Sequence, residues 1–141
     1  MKNLCPLALL CSLVAMPLAV SQPAQTHESI ESSGNVFLRV CSVVEKEKST
    51  WSDADISDIY ACSQYVRGFT SGVKSEQVYA EVVVGKKVPA PFCLPDDIPN
   101  GQIVRIVLKS IRNNPETSHQ STEVLIMGAL ALAFPFPCPS Q

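Results

Sequence analysis

Cysteine is the residue type with the most chemistry to offer in this chain: Cys5, Cys11, Cys41, Cys62, Cys93 and Cys138, six in 141 residues. A thiol can ligate a metal, act as a nucleophile or be oxidised to a disulfide, and its neighbours decide which. No C-x-x-C pair occurs, and His27 and His119 are the only histidines. A zinc set therefore has too few ligands, and neither a Cys–His nor a Ser–His–Asp arrangement can be drawn. Asp53, Asp55 and Asp58 lack the glycine and distal glutamate of a calcium loop. Asp96 and Asp97 are adjacent, a spacing that rarely brings two carboxylates to one substrate atom. There is no glycine-rich phosphate loop. These residues imply no enzyme, no metal and no cofactor. Oxidation to disulfides is the chemistry that remains.

Disulfides need an oxidising compartment, and the start of the chain supplies a route to one. Lys2 is followed by an almost wholly apolar run from Leu4 to Val20, broken by Pro6 and Pro17. That is the pattern of a secretory signal peptide, too short and proline-broken to span a bilayer. Ala19-Val20-Ser21 places small residues at the positions a signal peptidase reads. The expected division is a signal peptide over 1–21, a polar flexible leader over 22–35 and a folded domain over 36–141. Cleavage removes Cys5 and Cys11. Cys41, Cys62, Cys93 and Cys138 remain, an even set that reads as two disulfides with three possible pairings.

The elements that position these cysteines show helical spacing. Val36, Phe37, Val40, Cys41 and Val44 line one face of a first helix that Asn35 can cap. Ile59, Cys62, Val66, Phe69 and Val73 form the stripe of a second, capped by Asp53 or Asp55. Gly68 and Gly72 share a ridge beside that stripe. A helical glycine costs up to ~1 kcal/mol relative to alanine, so close packing of another backbone is expected there. Two antiparallel helices would bring Cys41 and Cys62 together, which leaves Cys93 to pair with Cys138.

Pro89, Pro91, Pro95 and Pro99 exclude a helix through the middle of Gly85–Gly101. A connection of that length is often a contact surface. Val104, Val107, Leu108 and Ile111 predict a third helix from Gly101 to Asn113, capped by Asn100. Thr117 and Gln120 resemble a capping box for a fourth. Val124 to Phe134 then runs without a charge, so this helix should be central or covered by a second subunit. Val82-Val83-Val84 reads as a short strand or a fraying helix end. The predicted fold class is all-α, four to five helices in a compact domain stapled by two disulfides.

Composition sets the outer bounds. Hydrophobic residues make up 46% of the chain, enough for a packed core. A net charge of -2 and the lack of a basic cluster argue against nucleic-acid binding. After signal cleavage nothing implies membrane attachment. An exported helical protein without catalytic groups points to protein binding.

The ordered set Phe92-Cys93-Leu94-Pro95, Asn100-Gly101-Gln102, Val107-x-Lys109, Pro115, Ala129-Leu130 and a terminal Phe-Pro-Cys resembles the Rap/Tai immunity proteins. Cys62-x-x-Tyr65-x-x-Gly68 resembles that family's second-helix signature. The ending Phe134-Pro135-Phe136-Pro137-Cys138 departs from it by two inserted residues. The resemblance implies a periplasmic, commonly dimeric protein. Its partner would be a type VI secretion peptidoglycan amidase, inhibited by a helix and protruding loop that occlude the active-site groove. By position, the expected effector contacts are Asp96, Asp97, Asn100 and Gln102 on one loop, and Asn113, Asn114, Glu116 and His119 on another. The alternative expectation is a small periplasmic helical chaperone of the acid-stress type.

Overall fold

The computed structural model describes residues 28–138. The signal peptide expected over 1–21, and the leader as far as residue 27, lie outside the described residues. Four α-helices follow in order: α1 (Gly34–Cys41), α2 (Asp53–Val82), α3 (Asn100–Asn113) and α4 (Thr122–Ala133). Short 3-10 turns at Ser42–Glu45, Lys48–Thr50 and Pro115–Thr117 complete the list, with no strand among the described residues. No described helix is long and apolar enough to cross a membrane.

α3 is the hub. Its apolar residues recur every three to four positions, and Ile103, Val104, Val107, Leu108 and Ile111 are all buried. α1, α2 and α4 each pack against it. α1 supplies Val36, Phe37 and Cys41, α2 supplies Cys62 and Val66, and α4 supplies Ile126, Ala129 and Leu130.

Both expected disulfides form, the first from the facing helix stripes and the second as the remaining pair. Cys41 pairs with Cys62 across α1 and α2 at a Cα separation of 5.4 Å, and Cys93 pairs with Cys138 at 5.2 Å. The first lies wholly inside the core, with both cysteines at 0% exposure.

Helix starts differ from expectation. α1 begins at Gly34, and Ser33 rather than Asn35 caps it by accepting the Val36 N–H. Ser52 caps α2, with Asp55 as the reciprocal partner of a capping box. Thr117 and Gln120 form no box. They close a 3-10 turn instead, and α4 starts at Thr122. Val82 is the last helical residue of α2, so the Val82–Val84 run is a helix end. Gly85, at φ +69°, then turns the chain as the Lys86 N–H donates to the Ala80 carbonyl.

The Gly68–Gly72 ridge is not packed. No atom approaches within 4 Å of where either Cβ would stand, and both residues are exposed. α4 divides its apolar surface. One face is in the core, while Val124 is 57% and Leu132 81% exposed.

Candidate functional site

The long connection between α2 and α3 is fastened to the body at three points. Phe92 is buried in the core. The Cys93 N–H donates to the Phe134 carbonyl at 2.9 Å, and the Cys93–Cys138 bridge lies beside that bond. Asn100, at the first turn of α3, donates from its amide to the Ser63 carbonyl of α2 at 2.9 Å. Leu94 and Ile98 pack partly against the core, and Asp96 and Asp97 between them are exposed.

The loop and α2 thereby enclose a groove of about 490 Å³, walled by Arg67, Thr70, Ser71 and Lys74 on one side and Leu94, Asp96 and Asn100 on the other. Lys74 and Asp96 face each other across it at 3.7 Å, both solvent-exposed. Of the four residues expected at this loop, Asp96 and Asn100 line the groove, while Asp97 and Gln102 are exposed beside it. Asn100 is tied to Ser63, so its amide positions the loop against α2.

The second set lies on the α3–α4 turn. Asn113, Asn114, Glu116 and His119 are all exposed. The Asn114 amide donates to the Ser110 carbonyl at 2.8 Å, holding the end of α3. Asn114, Thr117 and Gln120 also line a shallow groove of about 260 Å³ against Val124, Gly128 and Leu132 of α4. α3 separates the two loop sets. Its 14 residues at ~1.5 Å each place them roughly 20 Å apart, one at each end of the helix.

Four hydrogen bonds that the residue pattern did not signal hold the second turn and the start of α4 in place. The Gly34 N–H donates to the Gln120 carbonyl and the Asn35 N–H to the Ser118 carbonyl, each at 3.0 Å. Thr122, fully buried, donates from its hydroxyl to the Ile30 carbonyl at 2.6 Å, and its N–H donates to the Glu31 carbonyl. Residues 30–35, expected as the end of a flexible leader, are thus stitched to the turn and to the start of α4. All but the Thr122 hydroxyl bond are backbone pairings between distant segments, which side-chain spacing does not encode. Polar side chains reinforce the frame. Arg112 grips Glu45 with two bonds of 2.7 Å and holds its carboxyl below the ordinary range. The Tyr65 hydroxyl donates to Glu123, and burial followed by that carboxylate raises its pKa.

Among the described residues no group of three or more His, Cys, Asp or Glu side chains is placed to hold a metal ion. What the geometry offers is two polar, exposed loops on a rigid helical frame. The family model for Rap1a immunity proteins matches residues 33–138. The chain belongs to the Rap1a immunity protein family. The match runs from the α1 cap, Ser33, to Cys138 of the second disulfide, so it spans the whole helical frame. Membership of this Rap1a family implies that the chain binds a cognate effector. No match was found among curated proteins or among solved structures.

Proposed function

We propose that this immunity protein works in the periplasm, where it binds a type VI secretion peptidoglycan amidase and blocks the enzyme's active-site groove. The observation that carries the reading is the pair of exposed polar loops fixed at the two ends of α3 in a Rap1a-family chain. Asp96, Asp97 and Gln102 at one end, and Asn113, Glu116 and His119 at the other, supply the contacts, with Asn100 and Asn114 setting loop shape. Inhibition is steric: rigid loops cover the groove, and this protein performs no chemistry of its own. Two disulfides suit an oxidising compartment outside the cytoplasm.

A homodimer belongs to the same reading. Val78, Tyr79, Val82 and Val83 at the end of α2 are 59–77% exposed, a contiguous apolar surface of the kind a partner covers. Val82→Glu places a charge at its centre and is expected to leave a monomer in sedimentation velocity.

The deciding experiment is capture of a type VI secretion peptidoglycan amidase by this protein, followed by a peptidoglycan cleavage assay. The expected result is a stable complex and loss of cleavage at one equivalent. An amidase that neither binds nor slows overturns the reading.

A further inference from the structure

The two disulfides differ in the property that governs thiol exchange, access to an attacking thiolate. Cys41 and Cys62 are at 0% exposure beneath α1, α2 and α3. Cys138 is exposed at the end of the described chain and Cys93 is half-buried. Cys138 also borders an open cleft of about 610 Å³ between the tail, the end of α2 and the Lys87–Ala90 segment. An incoming thiol has room to approach its sulfur there.

We propose that Cys93–Cys138 is a thiol-exchange site for a dithiol reductant of the C-x-x-C class, while Cys41–Cys62 is sealed against the same reagent. One thiolate of the reductant attacks the Cys138 Sγ. A mixed disulfide forms, the Cys93–Cys138 bond breaks, and Cys93 leaves as a thiolate that takes up a proton. The second thiol of the reductant then attacks its own sulfur in the mixed disulfide and releases Cys138 as a thiolate, which is protonated in turn. Two electrons pass to the protein and the reductant ends as a disulfide.

Position gives the exchange a consequence. Cys93 directly precedes Leu94, Asp96 and Asn100, which form one wall of the groove against α2. The Cys93 N–H to Phe134 carbonyl bond lies beside the bridge. Opening it frees the Pro135–Cys138 tail and slackens the segment from Lys86 to Pro99. Phe92 and the four-helix core remain packed. Groove shape thus becomes sensitive to redox state without unfolding of the domain.

The test is titration of the oxidised protein with dithiothreitol under native conditions, trapping by alkylation, peptide mapping and hydrogen exchange. The expected result is alkylation of Cys93 and Cys138 at a dithiol concentration at least tenfold below that needed for Cys41 and Cys62. Amide protection should fall in residues 86–99 and 134–138 and hold in α3. Cys93→Ser/Cys138→Ser should reproduce that exchange pattern with helical circular dichroism retained. Simultaneous opening of both bridges, earlier opening of Cys41–Cys62, or no opening short of denaturation would each overturn the assignment. Selective opening with unchanged protection in 86–99 would overturn its link to the groove. All four readouts concern this chain alone, so they stand whether or not an amidase is its target.

Discussion

Gly34 sits where a side chain has no room. An added Cβ would collide with the Leu125 Cδ1 and stand 3.0 Å from the Ser118 carbonyl oxygen and 3.3 Å from the Ile111 Cγ2. Leu125 can rotate, but the Ser118 carbonyl belongs to the turn that carries His119. Gly34→Ala is therefore expected to cost about 1–3 kcal/mol by overpacking, read as a lowered urea midpoint. At Asp55 the charge matters. Its carboxylate accepts from Lys46 and from the Ser52 N–H and hydroxyl, and these bonds lower its pKa from 3.8 to about 2. Because the folded value is the lower one, its contribution is complete above the unfolded pKa and is lost as pH falls from about 4 through about 2. Asp55→Asn should melt below the parent at pH 7, with the gap closing as pH falls to 2.

Among the elements, α2, α3 and the cysteine pairing were readable from residue spacing. An apolar stripe reports a buried face, and a cysteine within that stripe inherits its direction. Cys41 and Cys62 could therefore be matched before any contact was known. The glycine ridge of α2 misled because Gly68 and Gly72 record only a missing side chain, which is the same in a tight interface and in open solvent. The start of α4 was equally hidden. Ser121 stands at the cap position without a side-chain cap bond, and the first helical residue, Thr122, is tied to the Ile30 carbonyl across 92 residues of chain. The loop residues were legible as exposed and polar, yet the engagement of Asn100 with Ser63 was not, because it joins two elements 37 residues apart. Phe92 is the apolar anchor of the α2–α3 connection. Phe92→Ala should cost about 3–5 kcal/mol, and amide exchange should rise over residues 86–99 before α3 loses protection.

For the whole molecule, the two bridges divide stabilisation unequally. Cys41–Cys62 spans 21 residues and Cys93–Cys138 spans 45. Loop-closure entropy alone values them at roughly 3 and 4 kcal/mol, the longer one higher. Burial reverses the order expected on removal. Cys41→Ala/Cys62→Ala leaves a void beneath α3 as well as a cut tether, whereas removing Cys93–Cys138 leaves only a loose surface segment. Thermal melting of the two double variants should rank the shorter bridge as the more damaging loss, by a few degrees or more.

The placement of Gln102 near one end of α3 and Asn113 at the other has a consequence for target choice. A helix with one face packed in the core neither stretches nor bends on demand, so it acts as a gauge block with a set span. Under the proposed mode of binding, a protein gripped at both ends must present two matching hollows at that interval. A relative with the same hollows a few ångströms nearer or farther can engage only one of them and forfeits the gain in effective concentration that a second grip brings. Lengthening the gauge by one helical turn would move the grips about 5 Å apart and should cost more discrimination than altering any single side chain at either end.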